Sequence, residues 1–269
     1  MTYSNLMKQM LMASIDELSK APEIYAVHPD KDFTRNRKIS FHDFLLLLLT
    51  MEDDCLREEL YHFFGRSAET PSKAAFYHQR TKLTDGALWE LLQIFNQKLK
   101  PTLYRNRYRL VACDGSVADI FRDEKDTETY FEPNNKSPRG FNQIHINALY
   151  SILDKQFLDV LVQPARKRNE YSAFCEMVDR VKNNCPTIYI ADRGYASYND
   201  FAHVMEKQQY FLIRCTDVKT SRLLGFPLED VREIDFHVDR ILFRSKAKKN
   251  LKHPELLERL RLRQAFMKI

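Results

Sequence analysis

The hydrophobic period of this chain changes near Lys100, and that change restricts the folds it can adopt. Up to Lys100 the apolar residues recur every three or four positions, which is typical of amphipathic helices. Beyond it, short β-rich runs appear, and from Glu170 onward they alternate with helical stretches. This order predicts an α/β protein in which a helical N-terminal domain precedes a mixed sheet with flanking helices.

Local end signals divide this pattern into elements. Ser40 precedes an almost wholly apolar run and is a favourable helix N-cap. The predicted helices of the first part span Ser40–Met51, Cys55–Phe64, Ser72–Leu83 and Thr84–Leu99. The predicted strands span Arg109–Cys113, Gln143–Ile152, Phe157–Gln163, Thr187–Ala191 and Tyr210–Arg214, with helices at Glu170–Lys182 and Tyr198–Gln208. We also expect an exposed loop from Asp119 to Arg139, a strand pair around Asp235 to Phe243 and a helix from Pro254 to Lys268.

Composition excludes several kinds of site. The six glycines form neither a dinucleotide-binding nor a phosphate-binding loop, and the five cysteines contain no CxxC pair. The longest apolar run, Phe44 to Leu49, is too short to cross a membrane, and Met1 to Lys20 lacks a signal-peptide pattern. We therefore expect a cytoplasmic protein with no membrane partner.

Basic residues concentrate in two stretches of the first part, Lys31–Lys38 and Pro71–Lys82. The whole chain has 42 lysine and arginine residues against 37 aspartate and glutamate residues, a formal charge of +5. Such stretches suit a polyanion such as DNA. Solvated helix faces have the same composition, and charge alone favours that simpler interpretation.

Two aspartates each follow an apolar run. Asp114 comes after Leu110–Cys113 and before Gly115, and Asp192 comes after Ile188–Ala191. Each is expected at the end of a strand, Asp114 beside a tight turn that exposes its carboxylate. Carboxylates at neighbouring strand ends can converge on Mg²⁺, and two such ions support phosphodiester chemistry. Strand-end aspartates are also common turn formers, which is the favoured interpretation of either one alone.

Together the two blocks resemble a known family. DGS at Asp114–Ser116 and IADRGY at Ile190–Tyr195 resemble the first and second catalytic blocks of bacterial insertion-sequence DDE transposases. Similar sequence continues, in matching order, at Thr34–Leu49, Leu56–Phe64, Pro71–Leu83 and Tyr210–Cys215. The branch it resembles is the insertion-sequence-four family, whose third block is Tyr-x2-Arg-x3-Glu-x6-Lys.

The resemblance implies a ribonuclease-H-like fold and an enzyme that cleaves and joins DNA with two Mg²⁺ ions. It implies that Asp114 and Asp192 are catalytic metal ligands and that Arg193 and Tyr195 lie beside the metal and contact DNA. A surface ion pair with a carboxylate is an equally good interpretation of Arg193. The implied partners are double-stranded DNA, at element ends and at the target, and a second copy of the chain, so that the protein is nucleoid-associated. The candidates for element-end contacts are Arg35, Arg37, Lys38, Lys73 and Arg80.

One part of the family pattern is missing. No tyrosine follows Tyr210, so the third block cannot lie downstream of Asp192. We expect a truncated chain: residues 1–100 form a helical DNA-end-binding domain, 101–215 the first part of the catalytic core, and 216–269 the start of a β-rich insertion, which leaves the fold incomplete at the C-terminus. Without its third carboxylate such an enzyme is expected to be weak or inactive.

Two other functions stay open. The first is a DNA-binding remnant or regulator that occupies element ends without catalysis. The second is a Mg²⁺ phosphatase, which the apolar strand before DGS allows. That class needs a second aspartate two residues from the first, and Ala112 stands where it would be needed.

Overall fold

The structure, a computed structural model, describes residues 3–135, 137–182, 185–214, 233–243 and 257–267. The chain divides into two compact units, Met1–Lys100 and Pro101–Ile269. The first is helical, and the second is built around a sheet.

The helical unit is a set of short helices joined by loops. Its described elements are α1 (Tyr3–Leu18), a 3₁₀ turn (Pro22–Tyr25), α2 (Phe41–Thr50), α3 (Leu56–Phe64), α4 (Lys73–Arg80) and α5 (Gly86–Gln97). The predicted cap of α2 is confirmed, because Ser40 Oγ accepts a 3.0 Å hydrogen bond from the Asp43 amide. Ser72 caps α4 in the same way.

Helix α2 is apolar almost all round because it packs on two sides. Phe41 and Leu45 lie in a cluster with α1 and α5. Phe44 and Leu47 lie in a second cluster with α3 and α4. Burying both faces explains why this helix lacks a polar stripe.

The second unit alternates strands and helices. Its described elements are β1 (Arg109–Ile120), β2 (Tyr130–Phe131), β3 (Phe141–Ser151), β4 (Gln156–Pro164), a 3₁₀ turn (Ala165–Lys167), α6 (Glu170–Arg180), β5 (Thr187–Ala191), a 3₁₀ turn (Arg193–Tyr195), α7 (Tyr198–Glu206), β6 (Tyr210–Ile213), β7 (Glu233–Phe243) and β8 (Leu257–Met267).

The main sheet is mixed. Its strands lie in the order β4, β3, β1, β5, β6, with the short β2 also paired to β3. The first three are antiparallel, and β1, β5 and β6 are parallel. A central β1 with antiparallel neighbours on one side and parallel ones on the other is a ribonuclease-H-like arrangement, and the predicted α/β class with a helical first part is confirmed.

The two faces of this sheet differ in burial. Along β3 the residues alternate between buried, as at Asn147 and Leu149, and half-buried, as at Ala148 and Tyr150. The buried positions of β1, β3 and β5 pack against α6 around Phe174. Side chains of odd number on these three strands therefore point toward α6, and those of even number point to the other face.

The expected loop from Asp119 to Arg139 is partly structured. Strand β1 continues to Ile120 and β2 occupies Tyr130–Phe131. The buried Asn142 ties this stretch together: its amide donates to the Asp123 carbonyl and to Thr129 Oγ1, and its oxygen accepts from the Asp123 amide. One long-range side chain thus orders a stretch whose composition is that of a loop.

The expected helix from Pro254 to Lys268 is wrong. Residues Leu257–Met267 form β8, which pairs antiparallel with β7 through matches such as Val238 with Leu262. Arginine and leucine alternate strictly from Arg259 to Arg263, which is the period of a strand, and a partner strand was available. The strand pair expected around Asp235–Phe243 is instead a single strand, β7, and its partner is β8.

No helix in the described part of the chain is long and apolar enough to cross a membrane.

Candidate active site at the edge of strands β1 and β5

Asp114 and Asp192 lie side by side. The last registered pair between β1 and β5 is Cys113 with Ala191, so the two aspartates come next on neighbouring parallel strands. Asp192 keeps an extended backbone, with φ −76° and ψ −178°. Neighbouring strands lie about 5 Å apart, and residues in register point to the same face. Both carboxylates therefore share one face and one edge, opposite α6.

The reason for the exposure of Asp114 differs from the one predicted. Asp114 is not at a strand end, because β1 continues for six more residues, to Ile120, and pairs with β3 throughout. Its carboxylate is exposed because β5 ends at Ala191 and leaves that side of β1 uncovered among the described residues. Asp192 lies directly after its strand, as predicted.

Each carboxylate is held by one backbone amide. Asp114 Oδ1 accepts a 2.8 Å hydrogen bond from the Gly115 N–H, and Asp192 Oδ1 accepts a 2.7 Å hydrogen bond from the Gly194 N–H. A Cβ atom at Gly194 would lie 2.9 Å from Asp192 Oδ1, so a side chain at this position would displace the carboxylate. The second oxygen of each aspartate hydrogen-bonds to no described residue and is open to a ligand.

This donor set suits a hard divalent cation that keeps part of its water. Mg²⁺ prefers one or two carboxylates, waters and phosphate oxygens to a closed protein cage. Across the residues that the structure describes, no group of three His, Cys, Asp or Glu side chains could hold a metal ion. Two neighbouring carboxylates, each with one oxygen that accepts no hydrogen bond from a described residue, fit such an open site.

The predicted position of Tyr195 against DNA needs correction. Its side chain is 2% exposed and its ring packs edge-on against Phe174, with centroids 5.7 Å apart. Burial raises the pKa of Tyr195 above its usual range, and the neighbouring Cys113 thiol adds to the effect. Tyr195 is a core residue beneath the site and offers no surface to DNA. Arg193, in contrast, is exposed beside Asp192.

Cys113, directly before Asp114, is no nucleophile. It is 4% exposed, and burial raises the pKa of its thiol to about 12. A thiol with such a pKa stays protonated at neutral pH.

Sequence reasoning missed a polar pair on the α6 side of the edge. His145 on β3 is 2% exposed, and its Nε2 lies 3.2 Å from Glu170 Oε1, at the start of α6. A signal was present, because His145 and Asn147 alternate with the apolar residues Ile144, Ile146 and Ala148 in a predicted strand, so that one of its two faces is polar. Polar residues in such positions need partners.

The basic candidates of the helical unit separate into three groups. Arg35 and Arg37 are exposed and line a cleft of about 310 Å³ whose other charged or titratable residues are Asp30, Lys31, Asp32, His78 and Lys82. Lys38 is engaged elsewhere, with its Nζ 3.2 Å from Glu69 Oε2 and 3.1 Å from the Ala68 carbonyl. The other two candidates, Lys73 and Arg80, are exposed at the two ends of α4.

Comparison with known proteins decides the family. Residues 105–265 match the family model described as the transposase DDE domain, and this match covers more than half of the chain. The chain belongs to the transposase DDE domain family. Both aspartates fall inside the matched range.

Two solved transposases are also similar. The piggyBac transposase synaptic complex with hairpin DNA is 13% identical, with a TM-score of 0.32, over 84% of this chain and 46% of that one. The Drosophila P element transposase strand transfer complex is 9% identical, with a TM-score of 0.32, over 77% of this chain and 48% of that one. The chain thus spans about half the length of these two proteins. No curated protein matches it.

Proposed function

We propose that this chain is part of an insertion-sequence transposase of the insertion-sequence-four branch, which cleaves DNA at element ends and joins it to a target. The observation that carries the proposal is the side-by-side placement of Asp114 and Asp192 on one open edge, within the range that matches the DDE domain. Each aspartate offers one oxygen while a backbone amide fixes the other.

Asp114 and Asp192 would hold Mg²⁺, two ions in the complete site. When bound, such ions activate an attacking water or 3′-hydroxyl and stabilise the leaving oxygen of the phosphodiester. The protein's part is to keep the two carboxylates at a fixed separation, and it does so through the backbones of adjacent strands. The resemblance assigns a third ligand, a glutamate, to a later block than the two seen in this sequence.

The cleft around Arg35 and Arg37 would bind the phosphate backbone of an element end. Neither arginine makes an ion pair or hydrogen bond with a described residue, so both are available to phosphates. Lys82 shapes the cleft, since its Nζ donates to Gln79 Oε1 at 2.6 Å and lies 5.9 Å from the centre of the Phe33 ring. The planar guanidinium group of arginine can donate two parallel hydrogen bonds to phosphate oxygens. Arg193, beside Asp192, would contact the DNA at the point of cleavage.

Transposition brings two ends together, so we propose that the active form is a homodimer on double-stranded DNA, associated with the nucleoid.

A nicking assay tests the catalytic part. Supercoiled plasmid that carries the element end adjacent to the gene is incubated with the chain and with Mg²⁺ or Mn²⁺. If the site is complete, nicking falls to background in Asp114→Asn and in Asp192→Asn. Glu176→Gln, a change at an exposed carboxylate on α6, serves as the matched control and retains activity. Absence of nicking in the unmodified chain, with the end still retarded in a gel, favours the DNA-binding regulator instead.

A gel-shift titration tests the cleft. Arg35→Ala with Arg37→Ala should weaken binding and lower the salt dependence by about one counterion per lost phosphate contact. Lys38→Ala is the matched control, because this lysine is adjacent in sequence but already paired with Glu69. Equal losses in both variants would reject the cleft as the contact surface.

A further inference from the structure

Two buried polar side chains of β3 lie against the segment of β1 that contains Asp114 and Gly115. His145 and Asn147 are 2% and 0% exposed. In the pairing of the two strands, Asn147 is opposite Gly115 and His145 is opposite Val117. Both side chains are on the α6 face, so they lie on the reverse side of the strand from the Asp114 carboxylate.

The ring of His145 rests directly on Gly115. A Cβ atom at position 115 would lie 2.6 Å from Nε2 and 2.9 Å from Cε1 of His145, far inside normal contact. The next atom, Asn147 Oδ1, would be at 3.5 Å, an ordinary contact. The absence of a side chain at Gly115 is therefore what lets the imidazole reach the β1 backbone.

Both polar residues connect this point to the start of α6. His145 Nε2 is 3.2 Å from Oε1 of Glu170, close enough for an ion pair but without the alignment of a hydrogen bond. Asn147 Nδ2 donates a 3.3 Å hydrogen bond to Gln163 Oε1. The same oxygen accepts a 3.0 Å hydrogen bond from the backbone N–H of Asn169, the N-cap of α6. The first turn of the helix thereby contacts the two β3 side chains that lie against Gly115, beside Asp114.

Such support is needed at this position of β1. Asp114 is the first residue of the strand without β5 beside it, and β1 continues to Ile120 with hydrogen bonds to β3 alone among the described residues. A strand with one neighbour deforms more easily than a central one. A metal ligand, however, has to be held to within about 0.5 Å of its productive position.

We infer that His145, held by Glu170, is a positioning residue for Asp114. Its ring rests on Gly115 and fixes the backbone that carries the carboxylate. The inference rests on the proposed function, because it assigns the purpose of this contact to a cation bound by Asp114 and Asp192.

The contact between residues 115 and 145 allows a size-compensation experiment on the full chain. Gly115→Ala places a methyl group against the His145 ring and should weaken Mn²⁺ binding, measured by electron paramagnetic resonance, by about tenfold or more. His145→Ala should weaken it by a similar factor, because the backbone loses its support. The double variant should bind Mn²⁺ better than Gly115→Ala alone, because the methyl group then occupies the space left by the ring. Glu170→Gln should have an intermediate effect.

The matched control is His203→Ala. His203 Nδ1 also pairs with a carboxylate, Asp179 Oδ2 at 2.9 Å, but on α7 and α6 rather than at the strand edge. It should lower the melting temperature without changing the Mn²⁺ affinity of the folded protein. If His145→Ala behaves like this control, or if the effects of the two single changes simply add in the double variant, the positioning role is rejected.

Two readouts separate this inference from the proposed function. Asp114→Asn establishes whether the bound Mn²⁺ is at the site at all, and unchanged binding there overturns the metal site itself. Hydrogen exchange of the amides at residues 114–118 needs no metal. It should speed up in His145→Ala and in Glu170→Gln but not in His203→Ala, and unchanged exchange in all three overturns the positioning role independently.

Discussion

Two pairs of aspartates in the sheet unit have opposite surroundings. Asp114 and Asp192 are exposed, and each uses one oxygen to accept a backbone amide. Asp159 and Asp200 are fully buried. Asp159 accepts two hydrogen bonds from the Arg180 guanidinium, at 2.6 Å and 2.8 Å. Asp200 accepts a hydrogen bond only on Oδ1 among the described residues, from the Cys175 thiol at 3.3 Å, and its Oδ2 has none.

The difference shows that burial decides whether an aspartate contributes to the stability of the fold or is available for ligand chemistry. A buried carboxylate must be neutralised or paired, so its free energy is coupled to folding. An exposed carboxylate that accepts one backbone hydrogen bond contributes little to the free energy of unfolding, and its second oxygen stays available to a ligand. The exposed pair should therefore matter for metal and DNA chemistry, and the buried pair for the free energy of unfolding.

The largest expected loss of stability comes from Arg180→Met. It leaves Asp159 buried without its counter-charge, which typically costs about 3 kcal/mol or more. Urea unfolding followed by circular dichroism measures the change. Glu176→Gln is the control, since Glu176 is an exposed partner of the same arginine, and it should change the free energy of unfolding by less than about 0.5 kcal/mol. Similar changes in the free energy of unfolding for the two variants would mean that the buried Asp159 contributes no more to stability than the exposed Glu176.

The next effect is a pH dependence from Asp200. Burial raises the pKa of this carboxyl to about 7 in the folded chain, so the fold favours its protonated form. Its contribution to stability is complete below the pKa of the unfolded state, near 4, and is lost as the pH rises toward 7. Asp200→Asn should remove this slope and raise the free energy of unfolding at pH 8, on the order of 2 kcal/mol. A slope that persists in Asp200→Asn between pH 4 and pH 7 would assign it to another group.

A smaller loss of stability, independent of pH, is expected at the N-cap of α7, the helix that contains Asp200. Ser197 is the N-cap of α7 and accepts from the Asn199 amide at 3.2 Å. Ser197→Ala should cost about 1 kcal/mol at every pH, because a hydroxyl cap does not titrate in this range. Unfolding curves at pH 5 and pH 8 test this, and a loss seen at only one of them would contradict it.

The smallest expected changes in stability are at the exposed pair. Asp114→Asn and Asp192→Asn should each shift the free energy of unfolding by less than about 0.5 kcal/mol, although both should abolish any nicking that the unmodified chain shows. The same urea titrations provide the values. A loss comparable to that of Arg180→Met would erase the contrast between the two pairs.

Much of the fold was predictable because the signals are local. The cap at Ser40, the alternation along β3 and the turn after Asp192 depend on residues a few positions apart. Sequence alone therefore located most helices and strands and singled out the two aspartates. It also failed where a partner strand outweighed local preference, as in β8, which was expected to be a helix.

By itself, the sequence determined that Asp114 and Asp192 follow apolar runs and carry glycines close behind them. Only the tertiary structure decided that Cys113 pairs with Ala191, which makes the aspartates neighbours, and that β1 continues past the end of β5. It also placed Tyr195 in the core and His145 on Gly115. The physical reason is that register and burial arise from contacts between residues far apart in the chain, which no short motif encodes.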